Sequence, residues 1–252
     1  MTMHPQPCRR AKCVWHPEYV IEAALLAGFM VSALAVTVWL EHPASPLRAA
    51  ISSALVRRML IGAGMGATAV VLIYSRWGQR SGAHMNPAVT LAFARLGLVS
   101  RGTATGYIVS QFIGGLIGGA VARALLGPAV AHAAVRFAIT TPAWGTAPAF
   151  SAELAMTTLL MGAVLAASRA DAWRPHAGLV AAGCVAAFIT VEAPVSGMSL
   201  NPARTLASAV WAWEFTGLWI YFLAPALGML LAAEIARHLH PPSKDSACST
   251  TT

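Results

Sequence analysis

Six stretches of the chain are almost continuously apolar: Tyr19–Leu40, Met59–Tyr74, Gly106–Leu126, Phe150–Ala167, Ala177–Ala193 and Phe215–Ala236. About 20 apolar residues in helical form cross the roughly 30 Å hydrocarbon core of a bilayer. Each stretch therefore predicts a membrane-crossing helix, and the apolar residues ahead of Arg57-Arg58 lengthen the second. Two other stretches, Asn86–Leu96 and Asn201–Val210, are moderately apolar and too short to cross, at roughly 15 Å of helix each. Both open on Asn-Pro-Ala. Asn is a favoured helix cap, and Pro at the first helical position gives up no hydrogen bond. Each approach is Gly-containing. The pattern predicts two short half-helices that re-enter the membrane from opposite sides.

The two halves of the chain repeat. Ser81-Gly82-Ala83-His84-Met85-Asn86-Pro87-Ala88 matches Ser196-Gly197-Met198-Ser199-Leu200-Asn201-Pro202-Ala203 at an offset of 115 (86 to 201). Tyr107, Gln111 and Gly114 match Tyr221, Pro225 and Gly228 at an offset of 114 (114 to 228). Glu22 with Phe29 matches Glu153 with Leu160 at an offset of 131 (22 to 153). Each half holds three spans and one half-helix. An odd number of spans inverts the second half in the membrane, and inverted repeats with broken helices build a site near the midplane. The fold class is an all-α membrane protein: six transmembrane helices, two re-entrant half-helices and an inverted internal repeat. The expected division is a basic N-terminal segment over 1–17, a membrane domain over 18–238 (repeats at about 18–126 and 149–238) and a disordered tail over 239–252.

Composition agrees with that reading. The chain is 57% apolar and only 10% charged, too few charges to cover a soluble domain of this size. The formal net charge of +8 comes from 17 Lys and Arg against 9 Asp and Glu. In a soluble domain such an excess suggests nucleic acid, but here the bases lie between apolar runs and read as topology signals, so no nucleic-acid partner is expected. With the termini cytoplasmic, the inner side carries Arg9, Arg10, Lys12, Arg76, Arg80, Arg95, Arg101, Arg169, Arg174, Arg237 and Lys244. The outer side carries Arg48, Arg57, Arg58, Arg123 and Arg136, with Arg204 inside the second half-helix. The inner excess orients both termini to the cytoplasm, in a plasma or inner membrane, and makes the 132–148 connection external. No cleavable signal pattern precedes the first span. Cys8, Cys13, Cys184 and Cys248 lack paired metal-ligand spacing, and no metal or cofactor is expected.

Two inverted half-helices meet N-terminus to N-terminus. Each end carries about +0.5 elementary charge from aligned peptide dipoles, so the meeting point repels protons and other cations. The Asn86 and Asn201 amides can still donate to a neutral oxygen. Non-helical backbone survives at that depth only if it is buried in protein or lines a wet cavity. The carbonyls of Gly82, Ala83, His84 and Met85, and of Gly197, Met198, Ser199 and Leu200, then form a ladder of acceptors.

SGAHMNPAVT and SGMSLNPART, with the surrounding repeat, closely resemble the two signature loops of the aquaporin (major intrinsic protein) family. The resemblance covers about residues 18–238. It implies an hourglass fold with one pore per subunit, a homotetramer, passive flux of water and small neutral solutes, and no cofactor. Glu22 and Glu153 resemble the buried glutamates that brace the two loops; intramembrane carboxylates usually have a role, and proton transport is the alternative. His84 reads as a loop hydrogen bonder. By the family's spacing, the outer constriction falls on Gly66, Ile189, Met198 and Arg204. Arg204 is the expected fixed cation. The other three lack the aromatic and His of strict water pores and the paired aromatics of glycerol pores. Met198, long and flexible, is expected to fill the space that Gly66 leaves. Thr205 and the Tyr221-Phe222 pair resemble water-pore markers. The implied cargo is water, with glycerol, urea, ammonia, peroxide and neutral metalloid acids as further small solutes.

Two other classes are weighed. An intramembrane enzyme needs a nucleophile with its base or a metal set; HExxH and GxSxG are missing, and no catalytic residue is assigned. An inverted-repeat secondary transporter would couple flux to an ion through Glu22 and Glu153.

Overall fold

The computed structural model describes residues 17–239. The polar ends, including Cys8, Cys13 and Cys248, lie outside the described residues apart from Pro17 and Leu239. Ten α-helices run in chain order: α1 Pro17–Glu41, α2 Pro46–Ala50, α3 Ala54–Tyr74, α4 Arg76–Ser81, α5 Pro87–Arg95, α6 Arg101–Leu126, α7 Thr146–Arg169, α8 Ala177–Ser196, α9 Pro202–Ala212 and α10 Leu218–Leu239. Six of them, α1, α3, α6, α7, α8 and α10, are long and apolar enough to cross a membrane. They coincide with the six apolar stretches, and α5 and α9 are the half-helices.

The ends that differ have local causes. Helix α6 begins at Arg101 because Ser100 caps it, its hydroxyl accepting from Thr103 N at 3.1 Å. Helix α10 starts at Leu218 rather than Phe215 because Trp213 (φ 54°) and Gly217 (φ 68°) turn the chain through the left-handed region first. Helix α3 is lengthened to Ala54, where Ser53 caps it.

Packing follows the repeat. Helix α1 lies on α6 as α7 lies on α10, and α3 crosses to α8 of the other half. Half-helix α5 packs on α10 and α9 on α6, so each half carries the other's short helix, and α5 and α9 meet. Small residues let the long helices approach, as membrane interfaces require. Gly114 and Gly118 face the α1 backbone at Ala23 and Ala27, and Gly228 faces Leu154 and Thr157 of α7.

Charged groups near the ends pin the short elements. Arg57 is buried; it donates to Glu41 Oε1 at 3.1 Å and to the carbonyls of Ile51 and Ser52, each at 2.8 Å. Arg95 at the end of α5 pairs with Glu234 of α10. The connection between α6 and α7 returns through short 3-10 turns at Gly127–Ala131 and Arg136–Ala138. Arg136, Phe137 and Ala138 there all hold positive φ, at 43°, 50° and 50°.

The candidate channel and its two loops

A cavity of about 410 Å³ runs between the halves. Its long walls come from one face each of four helices. Phe29, Ala33 and Thr37 line it from α1, Leu160, Met161, Val164 and Ser168 from α7. Arg58, Ile61, Met65, Ala69 and Ile73 line it from α3, and Ala181, Val185, Ile189 and Ala193 from α8. Spacings of three and four residues are those of one helix face. The two loops, Gly82–Asn86 and Gly197–Asn201, cross the middle, with Arg204 beside them.

The loops adopt one shape twice. Gly82 (φ 90°), Ala83 (47°) and Met85 (48°) are left-handed, as are Gly197 (83°), Met198 (54°) and Leu200 (57°). For non-Gly residues this costs roughly 1–2 kcal/mol each. A buried glutamate opposes that cost in each half. Glu22 Oε1 accepts from Ser81 Oγ at 2.7 Å and His84 N at 3.0 Å; Oε2 accepts from Met85 N at 2.7 Å and Gln111 Nε2 at 2.8 Å. Glu153 Oε1 accepts from Ser196 Oγ and Ser199 N, both at 2.7 Å, and Oε2 from Leu200 N at 2.8 Å. The halves differ by one bond: Gln111 is matched by Pro225, which offers no donor. Tyr107 Oη donates to Ser81 O at 2.8 Å and Tyr221 Oη to Ser196 O at 2.5 Å.

With the loop N–H groups drawn onto the glutamates, the carbonyls of Gly82, Ala83 and His84, and of Gly197, Met198 and Ser199, find no hydrogen-bond donor among the described residues. All six residues line the cavity.

The asparagines join the halves. Asn86 Oδ1 caps α5 by accepting from Ala88 N at 2.9 Å, and Asn201 Oδ1 caps α9 by accepting from Ala203 N at 3.0 Å and Arg204 N at 3.2 Å. Asn86 Nδ2 donates to Leu200 O and Asn201 Nδ2 to Met85 O, both at 2.7 Å. Each NH₂ carries two hydrogens, so one N–H per amide remains beyond this exchange. Pro87 and Pro202 are buried at the first helical positions, and Ala88 and Ala203 are fully buried.

Most of the expected constriction lies on the wall. Ile189, Met198 and Arg204 line the cavity. Arg204 Nη1 is buried with no hydrogen-bond partner among the described residues. Gly66 is not among the residues that line it. It faces α8: a Cβ there would stand 3.0 Å from Ala182 O and 3.3 Å from Ala186 Cβ. Met65 is on the wall instead. Ser75, with ψ 154°, caps both α3 and α4 between Gly66 and the first loop.

Several residues behave otherwise than as wall. Thr205, Tyr221 and Phe222 are off the cavity. Thr205 Oγ1 bonds Thr140 Oγ1 at 3.1 Å and the Ser199 hydroxyl, tying the α6–α7 connection to the second loop. Phe222 stacks on Phe112 with centroids 5.8 Å apart. His84 Nδ1 meets Thr90 Oγ1 at 3.0 Å, as a loop hydrogen bonder would. Cys184 packs against the α7 core. Sequence reasoning missed Thr140, and it missed Val135, Ala138 and Ile139, which line the cavity. None of these sits in a repeated motif.

The profile described as Major intrinsic protein matches residues 18–235. The chain belongs to the major intrinsic protein family. Aquaporin NIP2-2 of Zea mays is 38% identical over 186 residues, which cover 72% of this chain and 61% of that protein. Glycerol uptake facilitator protein-like 6 of Lactiplantibacillus plantarum is 33% identical over 182 residues, 71% of this chain and 84% of that one. The chain thus spans about three fifths of the plant relatives it matches. In fold it is similar to the X-ray structure of the aquaglyceroporin from Plasmodium falciparum, with a TM-score of 0.70 at 17% identity, covering 89% of this chain and 96% of that one. With six apolar helices, this member of the family is an integral, multi-pass membrane protein.

Proposed function

We propose that the chain is a passive channel for water and small uncharged solutes such as glycerol. One observation carries the reading: two half-helix N-termini meet on the wall of one cavity, cross-linked by the Asn86–Leu200 and Asn201–Met85 hydrogen bonds. Their dipoles and Arg204 make the centre positive. The free carbonyls replace hydration along the loops. No Asp or Glu lines the cavity among the described residues, so nothing on the wall offers a cation a carboxylate. Ile189, Met198 and Arg204, with α3 residues in place of Gly66, form the constriction. Glu22 and Glu153 brace the loops.

The coupled-carrier alternative has no support. Glu22 and Glu153 are off the wall, and all four of their oxygens already accept from loop or helix donors. Ser81 and His84 are likewise committed to the loop, which supports a non-enzymatic role. The eleven-to-five distribution of bases supports cytoplasmic termini and a plasma or inner membrane, and the family resemblance supports a homotetramer. Solute uptake into proteoliposomes tests the reading. A channel gives flux that does not saturate with solute and does not change when ionophores collapse proton and sodium gradients. Saturable, ionophore-sensitive uptake would contradict it.

A further inference from the structure

Two guanidinium groups, not one, line the cavity: Arg204 and Arg58. Their neighbour Arg57 shows the contrast. It is neutralised by Glu41 and two carbonyls. Arg58 has no carboxylate within salt-bridge distance among the described residues, and its Nε donates to Thr190 O at 3.4 Å. That carbonyl is free for a covalent reason. Pro194 lies inside α8 and has no N–H to return to the residue four positions earlier. The same bond fixes the depth of Arg58. Thr190 adjoins Ile189, and Gly62 of α3 already abuts Ala186 and Thr190, whereas Gly66 lies deeper, against Ala182. Arg58, one turn before Gly62, therefore reaches the cavity wall beside Thr190, about a turn beyond the level of Ile189.

We infer that Arg58 is a second fixed cation of the cavity, sharing charge exclusion with Arg204. This rests on the channel reading above. A guanidinium stays protonated. In a narrow lumen with apolar walls and no carboxylate, its field adds to that of Arg204 and of the helix ends rather than being cancelled. Cations meet two barriers, and loss of either Arg leaves one standing.

The test uses proteoliposomes of the full chain with sodium and proton leak measured beside water permeability. Arg204→Val leaks more than the native protein. Arg58→Gln keeps a donor for Thr190 O but removes the charge; in the Arg204→Val background it raises leak at least threefold further. Arg58→Met, which loses both charge and hydrogen bond, gives the same rise, and Arg58→Lys holds leak at the level of Arg204→Val alone. A purely structural Arg58 would instead make Lys as disruptive as Met and would lower water flux without changing leak. If Arg204→Val leaks and Arg58→Gln adds nothing, the inference is overturned while the channel reading stands. If neither variant leaks although water still flows, the role given to Arg204 fails with it.

Discussion

Removing the Glu153 carboxylate is the sharpest perturbation of the second loop. Three donors converge on it: Ser196 Oγ, Ser199 N and Leu200 N, at 2.7, 2.7 and 2.8 Å. In Glu153→Gln the amide oxygen keeps two of them and the NH₂ faces the Leu200 N–H. One buried donor is then unmet, at roughly 1–3 kcal/mol. Glu153→Ala strands all three, roughly 3–9 kcal/mol by the same rule, against a total stability on the order of 5–15 kcal/mol. Leu200 is also left-handed (φ 57°) and its carbonyl receives the Asn86 amide, so the damage passes to the other half. The assay is osmotic water permeability per reconstituted channel, with a thermal midpoint for each variant. Gln lowers the midpoint by about 2–12 °C, using roughly 2–4 °C per kcal/mol at this size, and reduces permeability; Ala abolishes permeability or folding. Wild-type permeability and midpoint in Glu153→Ala would refute the bracing role.

Further outcomes are expected. Met65→Ala widens the wall and raises glycerol permeability, whereas Gly66→Ala leaves solute preference unchanged and lowers the thermal midpoint, because its Cβ meets Ala182 O at 3.0 Å; reversed effects in a glycerol-swelling assay would restore Gly66 to the wall. Met198→Ala speeds entry of glycerol and urea, as Met198 lines the cavity, and unchanged solute rates would argue against a filter role for it. Glu192 is buried with neither oxygen partnered among the described residues, so Glu192→Met stabilises the fold by about 1 kcal/mol or more; a lowered midpoint in thermal unfolding would mean the carboxyl has a partner in the assembled membrane protein.

The architecture was legible because the bilayer imposes a coarse rule. Runs of apolar residues had to be crossings, and Asn-Pro-Ala had to start helices too short to cross. The matched Glu22 and Glu153 could be paired by the repeat, and each holds its own loop. What escaped was anything depending on rotation about a helix axis. Gly66 was placed by the family's spacing alone; in the fold its backbone faces Ala182 and Ala186 of α8, while Met65 lines the cavity. Arg57 and Arg58 looked equivalent as topology charges; their adjacent positions on α3 point one at Glu41 and the other into the channel. Thr140 and the Arg136–Ala138 turn lie in a non-repeated connection whose positive φ values fall on ordinary residues, where sequence carries no glycine signal. The Tyr221-Phe222 pair, read as a solute marker, holds the loop through Tyr221 and packs against α6 through Phe222.

The most direct test of the channel is stopped-flow light scattering on proteoliposomes, challenged once with sucrose and once with glycerol. The account predicts rapid shrinkage in sucrose, well above protein-free vesicles, followed in glycerol by re-swelling faster than the lipid background. Control-level rates in both gradients, from correctly folded and reconstituted protein, would contradict it.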